Sequence, residues 1–554
     1  MTRTGNHGKI LQQASGNAEA LLDTQHPKDM HLSRHDLLQL DEAYLRRLPE
    51  EPLRELSVKL LADLQAAHER LEQNSSNSSR PPSSELPWQG KPKEERNEEG
   101  TEQSGEGGNG QGARDRHEEK QSRGDEQARG ESGAAPKPPR RPGQQPGAPG
   151  HGRTQSLPID QEEHHHPTQC AGCGAALGEG NADRIHSASL TIDLREPSGE
   201  SAGLEVIQSK HIYHESQCDC GHWTRAEPGH CEGDEQWWVA LSERHLVGPL
   251  LIALLCALSL RMRLSRRRIQ EFLGDWLGLQ LSVATINQCL HEAARALEPV
   301  VEEQLLPEVR TSALLHGDET SWKEHGRLLW LWVFTTATTS VFVIGKRSQE
   351  FLYSVLGSIL SGWLMSDGYW AYRDYENRLR CLTHLLRKAR GLEESFDRQA
   401  QEFGKTLRNC LEAVMKAVYA AREGPPAMEL REQFAAQLLV LLDLCIAYAE
   451  CEHEKMRALA RELLNDWNTF WIVLEHPELP LTNNLAERAL RHWVIARRIS
   501  YGTRTPQGSR AFTVLASVIE TCRQRGHLPW PYIAQALRQR RQGNAAPVLP
   551  PAVA

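Results

Sequence analysis

Two aspartates in this 554-residue chain follow short apolar runs that are typical of buried strands. Asp318 comes after residues 313–316, and Asp367 comes after residues 362–365. A carboxylate at the end of a strand can face a cleft without being fully buried. Each aspartate alone is also explained as a turn former, and Asp367 stands in an Asp-Gly dipeptide. The pair together favours a metal-binding hypothesis.

A third acid, Glu487, lies in a segment that is expected to form a helix from about Asn484, with Thr482 or Asn483 as the N-cap. Helical spacing groups the polar residues Asn483, Glu487, Arg491 and Arg498 on one side and the apolar residues Leu485, Ala489, Leu490 and Trp493 on the other. The alternative for Glu487 is an ordinary surface pair with an arginine four residues away.

Three carboxylates suit a site that acts on phosphodiesters. Two Mg²⁺ or Mn²⁺ ions, about 3.5–4 Å apart, can activate a water or a 3′-hydroxyl and stabilise the leaving oxygen. Such hard cations need anionic oxygen ligands. We therefore expect Asp318, Asp367 and Glu487 to converge, although they are far apart in the sequence.

Four cysteines form two close pairs, Cys170 with Cys173 and Cys218 with Cys220. Two such pairs can close a tetrahedral structural zinc site, which leaves no position for catalysis. The second pair has one intervening residue where two are usual. The zinc ligands could therefore include His166, His214 or His222 instead.

The net charge of −9 would argue against a nucleic-acid partner, but the charges are unevenly distributed. The segment from Arg488 to Arg541 has eleven Arg, no Lys or Asp, and one acid, Glu520, which gives +10. Arginines without acids nearby favour a DNA-binding face over a solvated helix surface.

Two helices are expected at residues 265–277 and 282–297, joined by a turn at Gly278. The pair resembles a helix-turn-helix, with Arg266, Arg267 and Arg268 available for contacts to the DNA backbone. A helical hairpin that packs against a neighbour would have the same sequence pattern.

The remaining segments indicate a multi-domain chain. Residues 36–74 have leucines at heptad spacing over about two and a half heptads, which fits a short coiled coil or an amphipathic helix. Residues 89–150 lack large apolar residues and are expected to be disordered. The apolar run 246–260 is too short for a membrane span, which needs about twenty residues. Apart from the cluster at residues 170–220 the cysteines are spread singly, and this spacing with a polar start indicates a cytoplasmic protein.

After residue 309 the pattern changes to three strands, a helix and a fourth strand, followed by helices from 385 to 475. This order predicts an α/β core that is interrupted by a helical insertion of about ninety residues.

The chain resembles the insertion-sequence-66 family of DDE transposases in six ordered places. These are the leucine-rich helix followed by Asn-Ser-Ser-Asn-Ser-Ser-Arg-Pro-Pro-Ser-Ser-Glu, the CxxC pair, His-Gly-Asp-Glu-Thr-Ser-Trp at 316–322, Ser-Asp-Gly-Tyr-Trp-Ala-Tyr at 366–372, Cys-Leu-Thr-His at 381–384 and Thr-Asn-Asn-Leu-Ala-Glu-Arg-Ala-Leu-Arg at 482–491. The linker is longer and richer in glycine than the family pattern, and the second cysteine pair is compressed.

The resemblance implies an RNase H-like catalytic core in which Asp318, Asp367 and Glu487 bind the metal ions. It also implies a zinc module, and a structural role near the site for Cys381 and His384, which alone would be interpreted as core residues. Arg488, Arg491, Arg497 and Arg498 would position phosphates.

The expected domains, in chain order, are a flexible amino terminus (1–35), a leucine-rich helix (36–74), a linker (75–158), a zinc module (159–226), a helical DNA-binding domain (227–308), the first part of the core (309–384), a helical insertion (385–476), the core helix with the third acid (477–500) and a basic helical carboxyl-terminal segment (501–554).

The expected activity is that of a bacterial insertion-sequence transposase, which frees 3′-hydroxyls at the element ends and joins them to target DNA. Its partners would be double-stranded DNA, further copies of the chain and accessory proteins of the same element. Two alternatives remain, a catalytically inactive DNA-binding repressor and a metal-dependent nuclease on the same core.

Overall fold

The structure, a computed structural model, describes residues 40, 42–73, 77, 158–196, 204–226, 247–423 and 430–553. The expected flexible amino terminus lies outside these residues, as does the expected linker except for its positions 77 and 158. The described part is a mixed α/β structure with two sheets and many helices. None of the helices in these residues combines the length and the apolar character that crossing a membrane requires.

The leucine-rich segment is divided into two helices, α1 (Glu42–Leu45) and α2 (Glu50–Glu72), rather than the single helix expected. The first helix ends at Leu45, and Pro49, in an extended backbone conformation (ψ 160°), directly precedes the second. No residue of α2 is buried, and five of its large apolar side chains are exposed: Leu53, Val58, Leu61, Leu64 and Leu71.

The first sheet contains β1 (Gln161–His165), β2 (Ala182–Leu194), β3 (Val206–Gln217) and β4 (Trp223–Arg225). Strand β3 is central, parallel to β1 and antiparallel to β2 and β4. The sequence predicts β-rich runs at residues 187–194 and 204–213, which are present as β2 and β3, and both strands are longer than these runs. Most of their added residues are polar and pair across the hairpin, as Arg184 does with Glu215, so an apolar pattern could not mark them.

Three helices follow, and the expected helix pair is confirmed. Helix α3 (Pro249–Cys256) is largely buried, as expected for the apolar run, and leads through a π-helical turn to α4 (Arg266–Leu277). Gly278 ends α4 in the left-handed conformation, with φ 62°, which glycine adopts without strain. Helix α5 (Val283–Val300) follows, and the side chain of Ser282 caps it.

The second sheet has five strands in the order β7-β6-β5-β8-β9. They are β5 (Leu314–Glu324), β6 (Arg327–Thr335), β7 (Ser340–Gly345), β8 (Trp363–Ser366) and β9 (Arg378–Arg380). Strands β5, β6 and β7 form an antiparallel meander, and β8 and β9 add to β5 in parallel. Helix α6 (Leu306–Arg310) precedes the meander, and helix α7 (Gln349–Leu356) follows it. The expected order of three strands, a helix and a fourth strand is thus confirmed.

Strand β5 is longer than the sequence pattern suggests, because it continues past Asp318 to Glu324 in pairing with β6. Its parallel pairing with β8 ends at His316. Asp318 therefore lies where the parallel neighbour stops and not at the end of its own strand.

A set of helices connects β9 to the rest of the sheet. They are α8 (Leu382–Glu393), α9 (Arg398–Glu423), α10 (Leu430–Tyr448), α11 (Glu454–Asn465) and α12 (Trp467–Trp471). They share an apolar core that includes Phe403, Phe470 and Trp471. The side chain of Glu69 on α2 contacts this set, since its Oε2 atom lies 2.5 Å from Nζ of Lys455.

The chain then returns to the sheet as α13 (Asn484–Ser500), followed by α14 (Pro506–Gln524) and α15 (Pro529–Arg541). Trp493 fixes α13 to the sheet, because its ring is fully buried and lies edge-on to Phe342 with centroids 5.6 Å apart. Burial of a large side chain of this kind stabilises the fold by about 1.5–3 kcal/mol. Helix α14 packs on β7, where the Ser517 hydroxyl accepts a hydrogen bond from the backbone N–H of Phe342.

Candidate functional site

Asp318 and Asp367 lie at matching positions beside the two parallel strands β5 and β8. The last paired residues are His316 and Met365, and each aspartate follows its paired residue by two. Adjacent parallel strands lie about 4.8 Å apart, so residues in register are close neighbours. Asp367 also accepts a hydrogen bond at Oδ1 from the backbone N–H of Tyr369 (2.9 Å), which fixes the turn after β8.

Asp318 is surrounded by other carboxylates. Burial raises its pKa well above the ordinary value, and the charges of Asp367, Glu319 and Glu487 raise it further. In the described part of the chain, no arginine, lysine or histidine nitrogen lies within 4.0 Å of the carboxylate of Asp318 or Asp367. Neighbouring carboxylates such as Asp318 and Asp367, with no cation beside them, favour the uptake of a proton or a metal ion.

Glu487 approaches this group from the first turn of α13. Its Oε1 atom is buried and has no hydrogen-bond partner among the described residues. The nearest basic groups are Nε2 of His384, 3.7 Å from Oε1, and the guanidinium of Arg387, 3.8 Å from Oε2. Both distances exceed those of a hydrogen bond, so this carboxylate retains oxygen lone pairs that a cation could take.

Asn483 joins the start of α13 to the sheet, a role that the sequence did not suggest. The sequence pattern placed Asn483 on a polar stripe, but the residue is completely buried. Its side chain does not cap α13. It donates instead to the backbone carbonyl of Gly317 (2.8 Å), and its Oδ1 lies 3.0 Å from Nδ1 of His316. These bonds set the position from which the helix presents Glu487 one turn later.

Cys381 and His384 lie beside Glu487, and their ligand atoms and one Glu487 oxygen are all within 4.8 Å of one another. The backbone N–H of Asn483 donates to Sγ of Cys381 (3.2 Å). Burial lowers the pKa of His384, but Cys381 and the carboxylates of Glu487 and Asp367 outweigh burial and raise it. The pair therefore contacts the group of acids directly.

Glu319 is a further acid in the site that the sequence reasoning did not select. Its Oε1 accepts hydrogen bonds from Nε and the terminal nitrogen of Arg347 at 3.0 and 2.7 Å, and its Oε2 accepts one from the hydroxyl of Tyr372 at 2.9 Å. Burial and the charge of Asp367 raise its pKa to about 7. Because both of its carboxylate oxygens already accept hydrogen bonds, Glu319 is less able than the other acids to bind a metal ion. Its only sequence signal was its position next to Asp318.

The four cysteines form a second group of potential ligands. Their sulfur atoms all lie within 4.8 Å of one another, with Cys170 3.7 Å from Cys220 and Cys173 3.5 Å from Cys218. Burial raises the pKa of Cys170, but the backbone N–H groups of Cys173 and Gly172 outweigh burial and lower it to about 6. The compressed second pair thus reaches the first one, and His166, His214 and His222 are not part of the cluster.

The arginines expected to bind DNA differ in their exposure. Arg267, Arg268, Arg488, Arg491 and Arg498 are exposed. Arg266 points inward and donates to Oγ of Ser259 (2.7 Å), and Arg497 donates to Oγ1 of Thr320 on β5 (2.8 Å). The first five side chains are free to reach an external anion, although Arg268 also pairs with Glu271.

Much of the carboxyl-terminal positive charge is paired within the fold. Arg510 pairs with Glu298 and Glu302, and Arg525 pairs with Glu308. These acids belong to helical segments that precede the meander, so a count of charges along the sequence could not find them. Paired arginines have less charge to offer an external anion. The exposed arginines of α13 therefore supply a larger share of the unpaired positive charge of this segment than the sequence count of eleven arginines suggests.

The candidate metal centre consists of Asp318 and Asp367, at matching positions of two parallel strands, and Glu487 on α13. All of its ligand atoms would be carboxylate oxygens. Residues 244–511, which include all three acids, match the model described as the Transposase IS66 family. Over these residues the chain is similar to this family. The matched region is just under half of the chain.

Two further similarities are found. Residues 25–119 match a family of unknown function (DUF6444). The chain is also 27% identical over 166 residues to "Uncharacterized protein y4jO" of Sinorhizobium fredii, which is 29% of this chain and 48% of the relative. The chain thus spans about half the length of the curated relative that it matches.

Proposed function

We propose that this chain is a DNA transposase of a bacterial insertion sequence, which hydrolyses the element ends to free 3′-hydroxyls and joins them to target DNA. The observation that carries the proposal is the placement of Asp318 and Asp367 at matching positions of the parallel strands β5 and β8. The charges of Asp367 and Glu487, which both raise the pKa of Asp318, support it. The match of residues 244–511 to the Transposase IS66 family supports the same activity.

We assign the five-stranded sheet to an RNase H-like core. The support is its topology, in which a three-stranded antiparallel meander is extended on the side of its first strand by two parallel strands. The helices between β9 and α13 would then be an insertion in this core, and the domain boundaries expected from the sequence are retained as part of the proposal.

Asp318, Asp367 and Glu487 would hold Mg²⁺ or Mn²⁺ ions. The donor set fits hard divalent cations, because it consists of carboxylate oxygens and includes the unpartnered Oε1 of Glu487. When bound, such ions activate an oxygen nucleophile and stabilise the charge on the leaving oxygen of a phosphodiester.

The other residues of the site would position the acids and the DNA. Asn483 orients α13 against β5, and Arg347 neutralises Glu319, so that Glu319 adds less negative charge to the centre. The exposed Arg488, Arg491 and Arg498 on α13 would contact phosphates close to Glu487. Arg497 would brace α13 against β5, since its donors already contact Thr320 and Ser321.

The cysteine cluster would bind a structural Zn²⁺ ion, and α4 and α5 would contribute to recognition of the element ends. Recognition of paired ends would need more than one copy of the chain, and the exposed leucines of α2 offer one surface for that assembly. Accessory proteins of the same element are retained as expected partners.

The test uses the full-length protein, Mg²⁺ and a labelled duplex that carries the inverted repeats flanking the gene. We expect a nick at the repeat end that frees a 3′-hydroxyl, followed by products joined to target DNA. Asp318→Asn, Asp367→Asn and Glu487→Gln should reduce both steps to the level of a reaction without metal, and should change DNA binding by less than about twofold, because phosphate contacts dominate affinity.

Glu376→Gln serves as the matched control, since this exposed carboxylate lies close to Asp367 in the sequence but outside the group. Wild-type activity in any of the three variants would remove that residue from the proposed centre. Repeat-specific binding without nicking would indicate a repressor, and nicking that ignores the repeat sequence would indicate a nuclease.

A further inference from the structure

Three imidazoles meet on one face of the small sheet, apart from the cysteine cluster. His164 lies on β1, His166 directly follows β1, and His214 lies on the parallel strand β3. One ring nitrogen from each lies within 4.8 Å of the other two. His166 and His214, which the sequence offered as alternative partners of the cysteines, therefore belong to a cluster of their own.

The distances among these rings suit a shared ion. Nδ1 of His164 lies 2.9 Å from Nε2 of His214, and the rings of His166 and His214 stack with centroids 4.0 Å apart. A tetrahedral Zn²⁺ ion with Zn–N bonds of about 2.0–2.1 Å separates its ligand nitrogens by roughly 3.4 Å. A shift of a few tenths of an ångström would thus admit the ion between His164 and His214.

Asp183 determines which nitrogens are free. Its Oδ2 lies 2.6 Å from Nδ1 of His214, its Oδ1 lies 3.2 Å from Nδ1 of His166, and the hydroxyl of Ser216 donates to Oδ1. An ionised carboxylate only accepts hydrogen bonds, so both rings carry their proton on Nδ1. Nε2 of each ring is then left with a lone pair, as in metal sites where a carboxylate orients a histidine ligand from outside the coordination shell.

A second group on the opposite face, Glu163, His165 and His211, fits an ion less well. Nδ1 of His211 lies 3.1 Å from Nε2 of His165 and 3.3 Å from a carboxylate oxygen of Glu163. One nitrogen therefore faces both neighbours, and the ring of His165 stacks on Tyr213. Among the described residues, no carboxylate bonds to both of these histidines as Asp183 bonds to His166 and His214, so hydrogen bonding and stacking account for this group.

We infer that His164, His166 and His214 form a second metal site in the small domain, which takes Zn²⁺ or a similar borderline divalent ion. The ligands are Nδ1 of His164 and Nε2 of His166 and His214, and Asp183 orients the last two. Imidazole donors favour Zn²⁺, Cu²⁺ and Ni²⁺ over Mg²⁺. Three protein ligands leave a fourth position for water or an external ligand. The competing explanation is a chain of hydrogen bonds from His164 through His214 to Asp183 with no ion.

The test counts Zn²⁺ in the full-length protein by mass spectrometry after loading with Zn²⁺ and desalting. His164→Gln/His166→Gln/His214→Gln should bind one Zn²⁺ per chain fewer than the wild type. Asp183→Asn should weaken Zn²⁺ binding at this site by about 10–100-fold, measured by competition with a chromogenic chelator. His186→Gln removes an exposed imidazole from β2 of the same sheet and should keep the wild-type zinc content.

Because His214 is buried, the double variant His164→Gln/His166→Gln is measured beside the triple variant. It changes two exposed rings and should keep the melting curve of the wild type while losing one Zn²⁺. Wild-type zinc content in the double variant overturns the inference, as does an equal loss in His186→Gln. Neither result bears on DNA cleavage, so the inference stands or falls independently of the proposed function.

Discussion

The side-chain oxygen of Asn483 lies 3.0 Å from Nδ1 of His316, although the two residues are 167 positions apart in the sequence. His316 precedes Asp318 by two positions on β5, and Asn483 precedes Glu487 by four at the start of α13. The contact therefore joins the strand that presents one acid to the helix that presents another. Burial lowers the pKa of His316, and the hydrogen bond to Asn483 opposes this effect without cancelling it.

Asn483→Ala should lower both stability and activity. The change leaves Nδ1 of His316 and the carbonyl of Gly317 without a partner in a buried place, which costs about 1–3 kcal/mol. If Glu487 binds a metal ion as proposed, the loss of the group that positions its helix should reduce strand cleavage by about 10–100-fold. Thermal melting and the nicking assay measure the two effects. Asn484→Ala, at an exposed neighbouring position, is the control, and full activity in Asn483→Ala would contradict the positioning role.

His384→Gln should weaken metal-dependent activity more than it weakens the fold. His384 is the imidazole nearest to the unpartnered Oε1 of Glu487, at 3.7 Å, so its loss changes the surroundings of that oxygen. We expect the apparent affinity for Mn²⁺ in the nicking assay to fall by about 10–100-fold, with activity recovered at high Mn²⁺. His476→Gln, at an exposed imidazole, should leave the Mn²⁺ dependence unchanged. An unaltered dependence in His384→Gln would exclude a role near the metal ions.

Asp466→Ala should destabilise the protein strongly. The carboxylate is fully buried between Arg378 and Arg380 of β9, with a separation of 2.8 Å from Arg378. Removal of one member of a buried ion pair leaves uncompensated charge and costs about 3–5 kcal/mol. Urea unfolding followed by tryptophan fluorescence should show the loss. Glu478→Gln removes an exposed carboxylate and should change the unfolding free energy by less than about 0.5 kcal/mol. A similarly small effect of Asp466→Ala would show that this cluster does not hold β9 to the helices.

The stability of the region around Asp193 should depend on pH. Burial raises the pKa of Asp193, although its Oδ1 accepts hydrogen bonds from the backbone N–H groups of Leu251 and Leu194. Because the pKa of Asp193 is higher in the folded state, its protonated carboxyl contributes stability that is fully present below the unfolded-state pKa of about 3.9. This stability is lost as the pH rises through the folded-state pKa.

Asp193→Asn should therefore gain stability relative to the wild type as the pH rises above about 4. Hydrogen exchange of the amides at the start of α3, corrected for the intrinsic effect of pH, measures this locally. Glu376→Gln, at an exposed carboxylate, is the control. A difference between Asp193→Asn and the wild type that does not change with pH would contradict the assignment.

Local signals made part of the fold predictable. Ser265, Gly278 and Ser282 mark the ends of α4 and α5 through caps that involve only neighbouring residues, so the helix pair agrees with the sequence pattern. The apolar runs before Asp318 and Asp367 also located β5 and β8. The length of β5 was missed, because its later residues pair with β6 through polar positions that an apolar pattern does not mark.

Features that depend on distant contacts were not predictable. Helical spacing placed Asn483 on a polar face, yet the sheet encloses it, because its partners are on β5. The positive charge of α14 and α15 is reduced by Glu292, Glu298 and Glu308, which lie about two hundred residues earlier. The roles of Arg347 and Tyr372 at Glu319 likewise arise only once the sheet is assembled.

The order of the three acids along the chain determines when each of them is made during translation. Strands β5 and β8 leave the ribosome first, whereas Glu487 emerges only after the helices that follow β9 have been made. A nascent chain therefore carries Asp318 and Asp367 for a considerable time without their third companion. If the three acids act as proposed, a polypeptide still being translated has no functioning centre with which to cut the chromosome from which it is being expressed.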